Sequence, residues 1–363
     1  MKKLFALVLS LLLVVGLFAG CGSSAAPAAT EAPKAEAPKA EAPAEKTGDW
    51  VVGYICKDLS QEWFQGTLAA LEETCLANGA KEVIALDCEM NPEKCLNHLD
   101  NLIAQDVDII VICTPDQQLS QTIVDRCDAA GIPVFADADG LIVDGKHIAP
   151  ALELDAYTVG YGIGEWLANY VNTEMDYAAD AEVIGYMRMT MNEVSSCVPR
   201  AEGARDALLA GVPEFNTATI YDANYDGTTE DGYDVAAATI TAHPEVTKWI
   251  VTAPNDEGAA GAARALEAAG LDGEACVVGA GAYVAKEEFK KEYSCFKAAA
   301  YFSSKVTGEE EGKAAMAYLN EGKEIFGEYH DTIPGDDAYG IFPLGGIMVD
   351  PTNYVEIMGP DAE

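Results

Sequence analysis

Short apolar runs alternate along this chain with segments in which apolar side chains recur every three or four residues. The first run, residues 51–56, is almost wholly apolar and predicts a strand covered on both faces by helices. Residues 61–78 follow with apolar side chains at helical spacing, beginning with Trp63 and Phe64. The alternation continues through residues 81–86, 92–105, 108–113, 117–130 and 133–136. A β-α-β-α series of this kind predicts a parallel sheet flanked by helices.

A second series of the same kind begins after a predicted helix at residues 157–172. Its predicted strands are residues 182–187, 218–222, 248–252 and 275–279, and its predicted helices are residues 197–210, 231–242, 256–269 and 286–292. Two such units predict an α/β protein of two Rossmann-like lobes with a ligand cleft between them. Residues 295–302 and 307–320 predict one more strand and helix, and residues 340–349 an apolar hairpin. We expect these last elements to cross between the lobes and form a hinge of several strands.

The amino-terminal part of the chain differs from the rest. Lys2 and Lys3 precede an apolar run at residues 4–18, which is typical of a secretory signal peptide and short for a membrane span. Residues 17–21, Leu-Phe-Ala-Gly-Cys, resemble the bacterial lipobox, in which the cysteine is acylated. The sequence therefore predicts a signal peptide at residues 1–20 and lipidation of Cys21.

The next segment predicts a tether. Residues 22–46 are almost entirely Ala, Pro, Glu, Lys, Ser and Thr, a composition that cannot bury enough apolar surface to fold. We therefore assign residues 21–48 to the lipidated cysteine and its tether. The first lobe is predicted to comprise residues 49–156 and 303–328, and the second lobe residues 157–302 and 329–363.

Charge and cysteine content exclude some classes of protein. The formal net charge is −38, or −40 when the two lysines of the signal are subtracted, which argues against binding to nucleic acid or to anionic lipid through basic patches. Ten cysteines include Cys21, and the remaining nine cannot all pair with one another. No C-x-x-C motif is present, so we predict neither a thiol redox centre nor a zinc site. Whether any of the nine cysteines form disulfides stays open.

Candidate ligand-binding residues follow the predicted strands, because the carboxyl ends of parallel strands are where open α/β sheets bind ligands. Lys57, Gln61 and Trp63 follow the first strand, and Asp137 and Asp139 follow the fourth. An indole can cover CH groups while the amide and ammonium hydrogen-bond to hydroxyls, so this set suits a small polar molecule with one apolar face. Trp63 could instead anchor the core, and the two aspartates could form a capped turn, ligate a metal or act as an acid/base pair.

Signals of catalysis and metal binding are weak. The four histidines are not in H-E-x-x-H spacing, and no G-x-S-x-G motif is present. Residues 222–227 imitate the first half of a calcium loop, but the twelfth position is Tyr233 rather than a bidentate glutamate. We therefore predict no catalytic activity, no metal and no cofactor.

Taken together, these segments resemble the sugar-binding proteins of bacterial ABC importers, above all the L-arabinose-binding members of that family. The resemblance rests on residues 53–57 (Gly-Tyr-Ile-Cys-Lys), 62–65 (Glu-Trp-Phe-Gln), 111–116 (Val-Ile-Cys-Thr-Pro-Asp), Asn192-Glu193, 200–208, 242–246 with Trp249, and Asn255-Asp256. Their order and spacing match the family from residue 51 to about residue 322. The resemblance implies two lobes that are joined by three crossovers and close over a monosaccharide.

The resemblance also implies a set of ligand-binding residues, namely Lys57, Gln61, Trp63, Asp139, Ser196, Arg200, Asn255 and Tyr283. Lysine and aspartate would bind sugar hydroxyls, the tryptophan would cover the ring, and the arginine would lie near the ring oxygen. Gln61, Ala138 and Tyr283 stand where the arabinose-binding members have glutamate, aspartate and asparagine. We therefore expect a sugar or a sugar-like ligand without specifying arabinose.

The sequence thus predicts an extracytoplasmic monosaccharide-binding protein, specific for a pentose or hexose. We expect a monomer that is anchored to the outer face of the cell membrane only through lipid on Cys21. Its partners would be the sugar and an ABC permease with its cytoplasmic ATPase. Two alternatives remain open: a sugar sensor that contacts a membrane receptor or histidine kinase, and a binding protein for a non-sugar solute such as a nucleoside.

Overall fold

The computed structural model describes residues 48–194, 196–336 and 338–363. The predicted signal peptide, Cys21 and nearly all of the predicted tether lie outside the described residues. The described strands are β1 (Trp50–Cys56), β2 (Ala80–Asp87), β3 (Ile109–Ile112), β4 (Val134–Ala138), β5 (Ile142–Val143), β6 (Lys146–His147), β7 (Ala151–Leu154), β8 (Ile184–Thr190), β9 (Ile220–Asn224), β10 (Lys248–Thr252), β11 (Ala275–Gly281), β12 (Phe296–Tyr301), β13 (Ile341–Leu344) and β14 (Ile347–Val349). The described α-helices are α1 (Glu62–Ala77), α2 (Pro92–Ala104), α3 (Ser120–Ala130), α4 (Ala156–Glu174), α5 (Tyr177–Asp180), α6 (Cys197–Gly211), α7 (Thr229–Ala242), α8 (Asp256–Ala269), α9 (Ala285–Phe289), α10 (Ser304–Glu321) and α11 (Tyr354–Met358).

The first lobe is built on a sheet of six parallel strands in the order β13-β7-β4-β3-β1-β2. Side chains of β3 alternate between its two faces. Ile109 and Val111 pack into the apolar core shared with α1 and α10, whereas Ile110 and Ile112 pack into the core shared with α2 and α3. Both faces of β3 are therefore covered, which explains why this strand is apolar throughout.

The second lobe repeats this architecture with the strand order β14-β12-β11-β10-β8-β9. The sheet is parallel except at β14, which pairs antiparallel with β12. The fold class expected from the sequence, two helix-flanked parallel sheets, is thus confirmed. No helix in the described part of the chain is long and apolar enough to cross a membrane.

The chain passes between the two sheets at three places. It leaves β7 of the first sheet for α4, which packs against α6 of the second lobe. It returns after β12 to α10, which packs against α1 of the first lobe. It crosses a third time between β13 and β14. These three connections form the hinge between the lobes.

The third crossing corrects two expectations from the sequence. Residues 340–349 do not form a hairpin, because β13 pairs in parallel with β7 while β14 pairs with β12 in the other sheet. Residues 341–344 therefore belong to the first sheet, although we had expected all of residues 329–363 in the second lobe. Two apolar runs around Gly345 and Gly346 give the same pattern for a hairpin and for a crossing, so the pattern could not separate them.

The cysteines of the described part are all buried and unpaired. They are Cys56, Cys75, Cys88, Cys95, Cys113, Cys127, Cys197, Cys276 and Cys295. A buried free thiol packs as a small hydrophobic group, and these residues contribute to the cores of both lobes.

Candidate functional site

A cavity of about 90 Å³ lies between the lobes, where the carboxyl ends of the two sheets face each other. A cavity of this size suits one small molecule rather than a polymer. All eight residues expected from the sequence line this cavity: Lys57, Gln61, Trp63, Asp139, Ser196, Arg200, Asn255 and Tyr283. The structure therefore brings together residues that are separated by more than two hundred positions in the sequence.

Lys57 and Asp139 form an ion pair at the first-lobe side of the cavity. The Lys57 ammonium contacts Asp139 Oδ2, and both side chains are about nine-tenths buried. Burial alone would raise the pKa of Asp139, but the Lys57 charge and hydrogen bond hold it below its usual value. Burial would lower the pKa of Lys57, but Asp139 holds it above its usual value. Both groups are therefore charged at neutral pH.

The same ammonium links the two lobes. Lys57 Nζ donates a hydrogen bond of 3.2 Å to Ser196 Oγ, and Ser196 immediately precedes α6 in the second lobe. The Ser196 side chain makes no capping hydrogen bond to its own helix. Its hydroxyl accepts from Lys57, and its hydrogen bond to Asp139 helps to hold the pKa of that carboxyl below its usual value.

Arg200 lies one turn into α6 and is 8% exposed. One terminal nitrogen donates to the carbonyl oxygen of Pro254 at 2.5 Å, and the guanidinium carbon lies 5.8 Å from the centre of the Phe302 ring. Its Nε is buried and has no acceptor among the described residues. A buried donor without an acceptor is costly, and Arg200 is among the residues that line the cavity.

Trp63 belongs both to the core and to the cavity wall. Its ring lies edge-on to Phe64 at 4.9 Å and to Phe302 at 5.7 Å, and its Nε1 donates to the Phe302 carbonyl oxygen at 3.2 Å. The residue is 8% exposed and lines the cavity. The two interpretations of Trp63, core anchor and ligand platform, are therefore compatible.

Asn255 and Tyr283 line the cavity but use most of their polar atoms within the protein. Asn255 Oδ1 caps α8 by accepting from Gly258 N at 2.9 Å and also accepts from the Tyr225 hydroxyl, while Nδ2 donates to Gly227 O at 2.8 Å. The Tyr283 hydroxyl accepts from Ser304 N at 2.9 Å. Gln61 differs, because its side chain makes no hydrogen bond to another described residue and does not cap α1.

Two acidic residues in the wall were not expected from the sequence. Asp256 Oδ2 accepts hydrogen bonds from Val284 N and Ala285 N at 3.0 and 3.1 Å, and burial raises its pKa to about 6. Burial, and then the charge of Asp256, raises the pKa of Glu257 to about 8. Asn255 was expected only from the family resemblance, and both acids directly follow it after β10. The rule that ligands bind at the carboxyl ends of parallel strands could have identified them.

Phe302 was missed as well, although it follows β12 at the same edge of the sheet. The same rule of strand ends could have found it. Met90 also lines the cavity, from the loop after β2. Nothing in the sequence pattern distinguishes Met90 from an ordinary loop residue.

Another ion pair lies beside the cavity and, unlike the pair of Lys57 and Asp139, joins the two lobes. Lys286 of the second lobe donates to Glu62 Oε1 of α1 at 2.8 Å and to the carbonyl oxygen of Asp361 at 3.0 Å. The Tyr283 hydroxyl lies 3.0 Å from Asp361 Oδ2, and the Tyr301 hydroxyl donates to the same oxygen at 2.7 Å. The last residues of the chain therefore support the wall of the site.

Comparison of the sequence with known proteins identifies a family and several relatives. The family described as periplasmic binding protein domain matches residues 52–324. The ABC transporter L-arabinose-binding periplasmic protein of Azospirillum brasilense is 30% identical over 283 residues, which cover 75% of this chain and 81% of that protein. The L-arabinose-binding periplasmic protein of Escherichia coli K12 is 29% identical over 224 residues, covering 61% of this chain and 66% of that protein.

Solved structures share the fold at lower sequence identity. An ABC transporter solute-binding protein of Bacillus halodurans with bound myo-inositol has a TM-score of 0.68 at 22% identity, covering 87% of this chain and 99% of the other. A Caulobacter myo-inositol binding protein with bound myo-inositol has a TM-score of 0.69 at 21% identity, covering 86% of this chain and 96% of the other. The binding protein of the Shewanella arabinose ABC transporter, with bound L-arabinofuranose, has a TM-score of 0.68 at 17% identity, covering 86% of this chain and 95% of the other.

Proposed function

Since the chain belongs to the periplasmic binding protein domain family, we propose that it is the extracytoplasmic solute-binding protein of an ABC importer and captures a monosaccharide between its lobes. The main support is that eight residues from both lobes line one cavity of single-molecule size. The residues combine charged hydrogen-bonding groups with aromatic rings. This combination suits a sugar, which has hydroxyl groups at its edge and CH groups on its faces.

Each part of the cavity has a role in this proposal. Asp139 accepts hydrogen bonds from sugar hydroxyls, while Lys57 donates to a sugar oxygen without leaving its partner. The Arg200 guanidinium binds a ring or hydroxyl oxygen, and its planar shape fixes the direction of that bond. Trp63 and Phe302 present apolar surface to the CH groups of the ring. No covalent step is involved, so the sugar leaves unchanged.

Capture would proceed by closure of the hinge. A ligand that bridges residues of both lobes interacts fully only with the closed arrangement and therefore shifts the population toward it. The permease would recognise the surfaces of the two closed lobes and receive the sugar as they open. In this scheme the protein acts as a monomer, with one site in each chain.

We further propose that lipid on Cys21 holds the protein at the outer face of the cell membrane. The order of lysines, apolar run, small residues and cysteine in residues 1–21 supports this proposal. Incorporation of a labelled fatty acid that is lost in the Cys21→Ala variant would establish the anchor. Equal labelling of both proteins would reject it.

A thermal-shift screen tests the proposed ligand class. The panel is L-arabinose, D-ribose, D-allose, D-tagatose and myo-inositol, with nucleosides and branched-chain amino acids as non-sugar controls. A ligand at one hundred times its dissociation constant stabilises the folded state by about 2.7 kcal/mol, which raises the melting temperature by roughly 5–10 °C. A shift with a sugar supports the proposal, and calorimetry with recovery of unchanged sugar excludes turnover. Shifts confined to nucleosides or amino acids would overturn the sugar assignment.

A further inference from the structure

Two carboxyl groups are buried in the first lobe behind the cavity. Asp137 lies in β4, Glu311 lies in the middle of α10, and both residues are 0% exposed. Asp137 Oδ2 accepts a hydrogen bond of 2.9 Å from the Tyr54 hydroxyl. The other oxygen of Asp137 and both oxygens of Glu311 have no hydrogen-bond donor among the described residues. Three buried acceptor oxygens are thus left without a donor, and the proposed site does not use them.

The packing of α10 prevents Glu311 from reaching solvent. Gly308 and Gly312 allow α10 to approach α1 so closely that a Cβ atom at Gly308 would collide with the carbonyl oxygen of Thr67. Gly308 and Gly312 are four positions apart and lie on the face of α10 that contacts α1. Glu311 is fully buried on this helix, and α10 also packs against β4, the strand that carries Asp137.

Two facing carboxyl groups in such surroundings retain a proton, because two adjacent buried anions would repel each other strongly. Burial, and then the charge of Asp137, raises the pKa of Glu311 well above its usual value, and burial raises the pKa of Asp137 to about 6. Several other titratable or charged groups surround the acid pair. Tyr54, Asp139 and Lys57 act on Asp137, Cys75 interacts with Glu311, and Cys56 and Cys113 act on Tyr54. Lys57, the cation among them, is already paired with Asp139.

The acid pair is directly connected to the site. The carbonyl oxygen of Asp137 accepts a hydrogen bond of 2.6 Å from the backbone N–H of Asp139. Ala138 lies between them with a φ of 58°, a left-handed conformation that costs energy for a residue with a side chain. The turn that directs Asp139 toward Lys57 is therefore strained and must be held by neighbouring contacts.

We propose that Glu311 is a positioning residue, whose proton is donated to Asp137 and thereby fixes the turn at residues 137–139. Tyr54 donates to one oxygen of Asp137 and Glu311 donates to the other, so the Asp137 carboxylate is held from two sides. The turn then presents Asp139 to Lys57. Any effect of Glu311 on sugar affinity rests on the proposed function. The proton shared by Glu311 and Asp137, and the fixed turn at residues 137–139, can be tested without a ligand.

The test compares the protein with its Glu311→Gln and Glu311→Ala variants, and Glu310→Gln on the same helix is the control. Glutamine can donate to Asp137 at every pH, whereas alanine leaves Asp137 without that donor. We expect the Asp139 amide to exchange hydrogen about tenfold faster in Glu311→Ala. In Glu311→Gln and Glu310→Gln the exchange rate should stay within about threefold of the parent protein.

Urea unfolding between about pH 5 and about pH 9 gives the second measurement. A pKa that is raised on folding stabilises the protein at low pH, and this stability is lost as the pH rises through the folded-state value. The decrease in the free energy of unfolding between low and high pH should be smaller in Glu311→Gln than in the parent protein. In Glu310→Gln the decrease should equal that of the parent protein. This comparison remains decisive if Glu311→Ala does not fold.

Either of two results would overturn the inference. In the first, the Asp139 amide of Glu311→Gln exchanges hydrogen tenfold faster than the same amide of the parent protein. In the second, Glu311→Gln and the parent protein show the same pH dependence of the free energy of unfolding. L-Arabinose, D-ribose and myo-inositol are added to all four proteins in a parallel thermal-shift measurement. If none of them binds the parent protein, the proposed function loses support while the exchange and unfolding results still decide the role of Glu311.

Discussion

Lys57 Nζ lies 3.2 Å from Ser196 Oγ, so a cation that follows the first strand of one lobe contacts the residue that precedes α6 in the other. The same ammonium pairs with Asp139, which also lines the cavity. Separation of the lobes must break the contact to Ser196 but leaves the pair with Asp139 intact, because Lys57 and Asp139 belong to the same lobe. The site therefore has a preformed half, which includes Lys57 and Asp139, and a half that closure brings to it.

Arg200→Ala should weaken sugar binding strongly. Removing a charged group that binds a buried oxygen costs about 2 kcal/mol or more, or roughly a thirtyfold loss of affinity. Titration calorimetry with the sugar that raises the melting temperature measures this loss. Arg205→Ala is the matched control, because Arg205 lies on the same helix and pairs with Asp206 away from the cavity. Affinity of Arg200→Ala within about threefold of the parent protein would exclude Arg200 from the site.

Trp63→Ala should reduce both stability and affinity, because the ring packs in the core and lines the cavity. Replacing a buried tryptophan by alanine costs about 3–5 kcal/mol of the free energy of unfolding, which urea denaturation measures. Trp166→Ala provides the control, since Trp166 is partly buried on α4 and stacks on Tyr170 outside the cavity. Normal affinity in a destabilised Trp63→Ala protein would leave Trp63 as a core anchor alone.

The ion pair between Lys286 and Glu62 should favour the closed arrangement. Glu62 is about half exposed, so we expect a coupling energy of about 0.5–1 kcal/mol between the two residues. Lys286→Glu should increase the radius of gyration of the ligand-free protein in small-angle scattering, and adding Glu62→Lys should reverse the increase. Lys290→Glu is the control, because Lys290 pairs with Glu287 within the second lobe. If the double variant is as open as Lys286→Glu, the pair does not stabilise closure.

Glu257 should make the protein less stable at alkaline pH. Its pKa in the folded protein is about 8, above the unfolded value, so its contribution is favourable at low pH and is lost as the pH rises through about 8. We expect Glu257→Gln to remove about 1–2 kcal/mol of the difference in unfolding free energy between about pH 6 and pH 9. Glu230→Gln, at an exposed position in the first turn of α7, should leave that difference unchanged. Equal pH profiles for parent and Glu257→Gln proteins would show that this carboxyl titrates normally.

Much of the fold could be predicted from the sequence. The bounds predicted for Lys248–Thr252 and Asp256–Ala269 agree with the structure at both ends. Covered strands and amphipathic helices have different hydrophobic periods, and each period is a local property of the chain. The rule that ligands bind at the carboxyl ends of parallel strands also led to Lys57 and Asp139, which line the cavity; their role in binding stays a prediction.

The family, the two-lobe fold and the residues at the strand ends were thus determined by the sequence itself. Only the tertiary structure decided that β13 and β14 join different sheets, that the Asn255 side chain is used to cap α8, and that Asp137 and Glu311 are both fully buried. The physical reason is that strand pairing and desolvation depend on segments far away in the sequence. A local pattern shows which face of an element is apolar, but it does not show which distant group that face will meet.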